Sequence, residues 1–264
     1  MIKIIKITIL TLFVLSSKWS FGQYTLFSKT GTITYDKTLY LQNMLKKQLY
    51  AKSEGMTRQW YDQLKDKLPG SVVQQNILKF DKDQYMFEQV KTEMDEQAKF
   101  FLEAHAIKGD GIVHVNLATD EYRRYQSFAG DDLVIKDSTL KIKWKITDEY
   151  RDIAGYECRR ANGLTQDSLY VIGYYTNEIP ISGGPESISG LPGMILGLVV
   201  PYDHLSYFAT KVEFTNTVKF DLSAFDKKKN KIMKRSEVEG RFRQMLENFL
   251  GKEMVGYLIQ YFLL

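Results

Sequence analysis

The sequence predicts an α+β protein that is mainly β: a curved antiparallel sheet, a meander of half-barrel-like form, with an N-terminal helical insertion and a C-terminal helix. Three observations predict this class. Between residues 111 and 214, short runs of β-branched and aromatic residues are separated by closely spaced turn residues. Before and after this region the apolar residues change to helical spacing. The chain also contains 17 Tyr and 15 Phe but only 5 Pro, which favours strands.

The N-terminal part of the domain is predicted to begin with a strand and continue with helices. Thr30–Tyr35 is rich in β-branched residues and forms the first predicted strand. A helical insertion follows over about residues 38–68, where Leu41, Leu45 and Leu49 repeat every four residues. Pro69-Gly70 ends this pattern.

The middle of the chain is predicted to be a series of strands with short turns. The predicted strands are Val72–Phe80, Gln84–Val90, Ile112–Leu117, Tyr122–Phe128, Leu133–Lys136, Leu140–Thr147, Gly155–Ala161, Leu169–Thr176, Met194–Val200 and Tyr207–Phe214. Leu140–Thr147 alternates most clearly, with apolar residues at every second position. Lys141, Lys143 and Lys145 lie between them, on the face predicted to be solvated.

The C-terminal region is predicted to be helical over about residues 236–250. Ser236 and Glu239 have the spacing of a capping box, and Gly251 is placed to end the helix. Gly256–Leu264 is apolar but shorter than the roughly 20 residues that a membrane-spanning helix needs. We therefore expect this last segment to dock on the sheet.

Residues 1–22 have the order of a secretory signal peptide: a charged start, an apolar run and a small-residue cleavage region before Gln23. Lys18 ends the apolar run too early for a membrane-spanning helix. We therefore expect residues 23–264 to form a single exported domain, periplasmic, secreted or associated with the outer membrane, with no transmembrane helix in the mature chain.

The charge and the cysteine content restrict partners and stabilising chemistry. The full chain has a formal charge of +4, and residues 1–22 contain three lysines and no acid, so residues 23–264 carry +1. This balance gives no general case for nucleic-acid binding. Cys158 is the single cysteine, so an intramolecular disulfide is excluded, and it is interpreted as a buried apolar residue.

Residues 174–198 form the most distinctive local sequence, with prolines and glycines concentrated before an apolar strand. Pro192-Gly193 suits the centre of a type II turn, which predicts a positive φ at Gly193. We expect a folded-over loop that delivers Met194–Val200 into the core.

Gly190-Leu191-Pro192-Gly193-Met194-Ile195 resembles the name-giving motif of the GLPGLI family, exported proteins of Bacteroidetes-type bacteria. The resemblance extends over roughly residues 111–215. It includes a Trp-Lys-Ile-Thr segment from Trp144, the Ile-Ala-Gly-Tyr-Glu-Cys segment 153–158, and Tyr-Thr, Ile-Pro and Gly-Pro elements. Tyr174 and Arg160 depart from the family's usual Trp and Lys. The motif positions are Trp144, Gly155, Tyr156, Cys158, Tyr175, Pro180, Gly184, Pro185, Gly190, Leu191, Pro192 and Gly193.

The resemblance implies an envelope location and a β-rich domain, but no activity and no catalytic residues. The motif positions are therefore interpreted first as structural, with a ligand-contacting loop as the alternative. No catalytic residue, cofactor or metal ligand is predicted from the residues themselves. The serines near the glycine-rich loop lack the Gly-x-Ser-x-Gly spacing of α/β-hydrolases. His105, His114 and His204 are too far apart in sequence for a local zinc motif.

Two functions remain open at this point. The first is a non-enzymatic envelope protein in a binding or accessory role, with an apolar ligand, a peptide, or an outer-membrane protein or lipid as partner. The second is an exported hydrolase with a site assembled from scattered histidines or acids, such as Asp131, Asp132, Asp148 and Glu149. The basic run 227–235 is interpreted as a solvated linker, with contact to anionic lipid as the alternative.

Overall fold

A computed structural model describes residues 30–50, 53, 55–90, 93–104, 111–128 and 131–264. The predicted signal peptide lies outside these residues. The strands are β1 Thr30–Leu39, β2 Val72–Asp81, β3 Gln84–Gln89, β4 Ile112–Asn116, β5 Glu121–Phe128, β6 Asp131–Asp137, β7 Ile142–Ile153, β8 Tyr156–Thr165, β9 Tyr170–Thr176, β10 Met194–Val200, β11 Leu205–Phe214 and β12 Lys231–Met233. The helices are α1 Leu41–Asn43, continued by a π-helical segment Met44–Leu49, then α2 Gly55–Leu64, α3 Glu96–Ala104, α4 Arg235–Leu250 and α5 Lys252–Leu263.

The strands form one 12-stranded open, curled sheet in the order β12-β6-β5-β4-β3-β2-β1-β11-β10-β9-β8-β7. It consists of two antiparallel meanders, β1 to β6 and β7 to β11, which meet where β1 pairs with β11. The short β12 adds to β6 in parallel. The predicted fold class is confirmed. The prediction did not include the joining of two meanders or the parallel edge strand.

The connection between β6 and β7 shows how strongly the sheet curls. These strands lie at opposite ends of the strand order of the meanders, yet only residues 138–141 join them. A flat sheet of eleven strands would separate its outer strands by about 48 Å, at roughly 4.8 Å per step. Four linking residues reach at most about 18 Å. The two sides of the sheet therefore come close together at this end.

The inner face of the curled sheet is closed by α5 and by the loop that precedes β10. In β1 every second residue is buried, which places Ile33, Tyr35, Lys37 and Leu39 on the inner face. Helix α5 buries most of its side chains; the buried ones are Met254, Val255, Tyr257, Leu258, Ile259, Tyr261 and Phe262. The sheet thus encloses a packed core rather than an open trough. Among the described residues, no helix is both long and apolar enough to cross a membrane.

Helix α4 begins at Arg235, one residue before the predicted start. The carboxylate of Asp137, the last residue of β6, accepts a hydrogen bond from the backbone N–H of Arg235 at 3.1 Å. The side chain of Glu237 accepts one from the backbone N–H of Lys234 at 2.8 Å. The predicted Ser236–Glu239 capping box is therefore wrong, because the contact with β6 fixes the helix start, and Glu239 pairs with Arg243 instead.

Candidate functional site

The loop between β9 and β10 turns into the core. Residues 183–189 have no regular secondary structure, and all seven are buried. Loops normally stay at the surface because buried backbone groups need partners. Here the partners are provided: the N–H of Ile195 donates to the carbonyl of Gly183 at 2.9 Å. The hydroxyl of Tyr85 donates to the carbonyl of Glu186 at 3.2 Å.

Trp144 of β7 holds the end of this inward loop. Its indole N–H donates to the carbonyl of Ser189 at 3.0 Å. The ring lies against glycines of two neighbouring strands, because a Cβ at Gly163 would lie 2.6 Å from the ring and one at Gly173 would lie 3.2 Å from it. A Cβ at Gly190 would lie 3.3 Å from the indole nitrogen. The motif tryptophan and the motif glycine therefore belong to one packing arrangement.

The predicted positive φ at Gly193 is wrong; within Gly190–Ile195 it is Gly190 that has a positive φ, at 96°. Gly193 is required for another reason. A Cβ at this position would lie 2.1 Å from the carbonyl oxygen of Thr176, on the neighbouring strand. The close approach of two backbones, rather than turn geometry, explains the second glycine of the motif.

The remaining motif positions are distributed over the β7–β9 wall and the loop. Gly155 and Ala154 form the two-residue β7–β8 turn, and both have positive φ, as a type I′ turn requires. Tyr156 is half-buried, Tyr175, Gly184, Pro185 and Leu191 are buried, and Pro180 and Pro192 are exposed. Cys158 is fully buried, and burial raises the pKa of its thiol to about 12, which makes it unreactive. These residues do not converge on one open pocket.

The charged centre of the core is Glu186, a residue that the sequence analysis did not single out. Arg124 of β5 donates to its carboxylate at 3.2 Å, and the hydroxyl of Tyr207 of β11 donates to it at 2.9 Å. The ammonium group of Lys37 of β1 lies 3.7 Å from the same carboxylate. The inward loop therefore places one acid between three strands that are distant in sequence.

The ionised form of Glu186 is stabilised by these partners. Burial alone would raise the pKa of Glu186, but Arg124, Lys37 and the Tyr207 hydroxyl outweigh it and hold the pKa below its ordinary value. Burial lowers the pKa of Lys37, and Glu186 partly opposes this effect. We call this set, Lys37, Arg124, Glu186 and Tyr207, the Glu186 cluster.

Helix α5 covers the Glu186 cluster. The Lys37 ammonium lies 5.3 Å from the ring centre of Tyr261, and the backbone N–H of Ser187 donates to the carbonyl of Leu264 at 3.2 Å. Lys37 and Glu186 are almost completely shielded from solvent. The cluster therefore joins the strands, the inward loop and the C-terminal helix through buried polar contacts.

Asp203, in the β10–β11 turn, is a second buried acid beside this cluster. It is fully buried, and its carboxylate oxygens accept no hydrogen bond from the described residues. Burial raises the pKa of Asp203 to about 7, which Lys37 only partly offsets. Burial, and after it the charge of Asp203, raise the pKa of Tyr257 on α5.

The acids considered for a hydrolase site are held in surface ion pairs, two on β7 and two on β6. On β7, Asp148 pairs with Arg159 at 2.7 Å and Glu149 with Arg160 at 2.6 Å. On β6, Asp132 pairs with Lys229 at 2.6 Å, and Asp131 pairs with Lys231. These pairs also give part of the basic run 227–235 a structural role, beside β6.

The histidines do not form a site in the described structure. His114 of β4 packs near the rings of Phe220 and Phe225, and His204 ends the β10–β11 turn, while His105 lies outside the described residues. Burial lowers the pKa of His114. Within residues that the structure describes, no group of three or more His, Cys, Asp or Glu side chains is arranged to hold a metal ion.

A pocket of about 380 Å³ opens at the end where the two sides of the sheet approach each other. Its walls come from the segment before β7, the end of β8, the β8–β9 turn and the two C-terminal helices. The lining residues are Leu140, Thr165, Asp167, Leu169, Arg235, Glu239, Arg243, Gly256, Ile259, Gln260, Leu263 and Leu264. Half of these residues are polar or charged and half are apolar or glycine, so the pocket offers both kinds of contact to a small molecule. We call this the rim pocket.

These features define a mainly β protein with a curled sheet, an inward loop and a rim pocket. Residues 162–197 match the model of a family described as "Protein of unknown function (Porph_ging)", an uncharacterised family of Bacteroidetes type. The matched segment contains the end of β8, β9, the inward loop and the start of β10. The search of curated proteins found no match to this chain.

Proposed function

We propose that the protein is an exported cell-envelope protein of the GLPGLI family with a binding or accessory role rather than a catalytic one. The signal-peptide pattern of residues 1–22 supports export. The GLPGLI assignment is supported by the motif Gly190–Ile195, which lies within the segment that matches the family model.

The rim pocket is the observation that carries the binding role. It is bordered by several secondary-structure elements and combines apolar and polar groups, as small-molecule sites do. The two buried acids with shifted pKa values, Glu186 and Asp203, instead lie beneath α5. A hydrolase would need such groups to face substrate. This contrast favours binding over hydrolysis.

Recovery of the protein from its own cells tests both parts of the proposal. A tag should follow the predicted cleavage point, because Leu264 is buried and a C-terminal tag would disturb the core. We expect the envelope fraction to contain a chain that begins near Gln23, identified by N-terminal sequencing. We also expect native mass spectrometry after gentle extraction to show a bound small molecule. A cytoplasmic chain retaining residues 1–22 would contradict export, and a protein without bound molecules would contradict the binding role.

A further inference from the structure

The apolar side chains of the rim pocket come from both the sheet and α5. Leu140 precedes β7 and Leu169 lies in the β8–β9 turn, while Ile259 and Leu263 lie one turn apart on α5. Gly256 lies on the same helix, and a Cβ at this position would meet no atom within 4 Å. The pocket therefore has an aliphatic side with unfilled space next to Gly256.

The charged residues of the pocket are Asp167 of the β8–β9 turn and three residues of α4, Arg235, Glu239 and Arg243. The two arginines differ. The guanidinium of Arg243 pairs with Glu239 at 2.8 Å and with Glu247 at 3.0 Å, so its charge is balanced. Arg235 forms no ion pair with an acid of the described chain. The nearby Asp137 carboxylate binds the backbone N–H of Arg235 rather than its guanidinium.

The guanidinium of Arg235 is held in place but only partly hydrogen-bonded. It lies 3.9 Å from the ring centre of Tyr122, and its Nη1 donates to the carbonyl of Ser138 at 2.7 Å. Its Nε and Nη2 are shielded from water and donate no hydrogen bond within the described residues. The positive charge of Arg235 is therefore not balanced by an acid of the described residues, and a carboxylate is the group that pairs most strongly with a guanidinium.

We infer that the rim pocket binds an amphipathic monocarboxylate, with its aliphatic part against Leu140, Leu169, Ile259 and Leu263 and its carboxylate at Arg235. This inference rests on the proposed binding function and specifies the ligand class. A volume of 380 Å³ lies near the lower end of the range for small-molecule sites, about 300–1,000 Å³. Decanoate is one such amphipathic monocarboxylate.

Calorimetric titration with decanoate and with decan-1-ol, a neutral molecule of the same chain length, tests the inference. We expect decanoate to bind at least about tenfold more tightly, because a charge-assisted hydrogen bond is formed only by the acid. The Arg235→Gln variant should abolish this preference while it still binds the alcohol. Equal binding of acid and alcohol to the unaltered protein would overturn the role of Arg235.

A second pair of variants tests the location and does not depend on removing a buried cation. Gly256→Leu should fill the pocket and abolish decanoate binding without loss of folding, since Leu is a better helix former than Gly. Gly240→Leu is the matched control, because Gly240 lies on α4, has the same free space and does not line the pocket. Unchanged binding by Gly256→Leu would overturn the site.

The outcomes separate this inference from the proposed function. Native mass spectrometry of the envelope protein reports whether any small molecule is bound, whereas the titration reports whether a carboxylate is preferred. A bound neutral molecule that Gly256→Leu excludes would leave the binding role intact and overturn the ligand class. Decanoate binding that is insensitive to both Arg235→Gln and Gly256→Leu would overturn the inferred site itself.

Discussion

Glu186 is the residue on which the polar contacts of the core converge. It brings a negative charge into the core beside Lys37 and Arg124, two cations that are also buried. A buried ion pair adds little net stability when it is complete, but removal of one partner leaves the others uncompensated. The contribution of Glu186 to stability should therefore be seen most clearly when the residue is replaced.

We predict that Glu186→Gln lowers the free energy of unfolding by about 3–5 kcal/mol, because it leaves Lys37 and Arg124 without a counter-charge. Urea denaturation monitored by tryptophan fluorescence measures this change. Glu178→Gln is the control, since Glu178 belongs to the same loop but is exposed. Equal stability of the two variants would contradict the structural role of the Glu186 cluster.

Asp203 gives a pH dependence of opposite sign to that of an ordinary surface acid. Its pKa is raised to about 7 in the folded protein, so the folded state binds a proton more tightly than the unfolded state. Its contribution to stability is complete below about pH 4 and is lost as the pH rises through about 7.

We expect Asp203→Asn to remove this dependence. Between pH 4 and pH 7, the contribution of Asp203 to the free energy of unfolding of the unaltered protein should fall by up to about 4 kcal/mol. The Asn variant should show no such fall. The comparison requires unfolding free energies of both proteins at several pH values, because other acids titrate in the same window. Parallel curves for the two proteins would exclude a raised pKa at Asp203.

The close approach of the backbone at Gly193 to the neighbouring strand leaves no room for a side chain at this position. Gly193→Ala would place a methyl group 2.1 Å from the carbonyl oxygen of Thr176. We predict that this variant lowers the free energy of unfolding by about 3 kcal/mol, the upper end of the usual cost of overpacking a core. Thermal unfolding measures it, with Gly70→Ala as the control at a position with free space. A normal melting temperature for Gly193→Ala would refute this explanation of the motif.

At the scale of elements, the two edges of the sheet are protected in different ways. β12 pairs with the outer side of β6. On the other edge, no described strand pairs with the outer side of β7, and exposed lysines follow one of its faces. Lysines on an edge strand discourage pairing with other chains.

We therefore predict that the double variant Lys143→Ile/Lys145→Ile forms oligomers or aggregates. Isoleucine removes the charge and raises β propensity on an unpaired edge. Light scattering during storage measures this outcome. Lys143→Gln/Lys145→Gln is the matched control, because it removes the same charge without adding apolar surface. Monomeric behaviour of the isoleucine variant would show that this edge is protected by other means.

The elements also show what local sequence patterns can predict. Each of β1 to β11 overlaps a predicted strand, since alternation and turn residues are local signals. β12 was missed because Lys231–Met233 is short and lies in a basic run. It pairs through its backbone with residues 133–135 of β6, and Asp131 of β6 forms an ion pair with Lys231; no local pattern predicts these tertiary contacts. Tertiary contacts likewise decided the start of α4.

At the scale of the whole molecule, the Glu186 cluster could not be predicted from the sequence. Lys37, Arg124 and Glu186 belong to β1, β5 and the inward loop, and no spacing rule connects them. A lone acid between Pro185 and Ser187 is typical of an ordinary turn. The rim pocket could not be predicted for the same reason, because its walls meet only when the sheet curls and the C-terminal helices dock.

The pairing of β1 with β11 has a consequence for the time course of folding. β1 is the first described strand to be synthesised, yet its partner β11 follows about 165 residues later, as in the Leu39–Leu205 pair. At ordinary rates of translation this interval is roughly 10 to 30 seconds. During that time one side of β1 has no partner, and contacts of such long sequence separation form slowly. The strand at the centre of the sheet is thus among the first to be made and among the last to be completed.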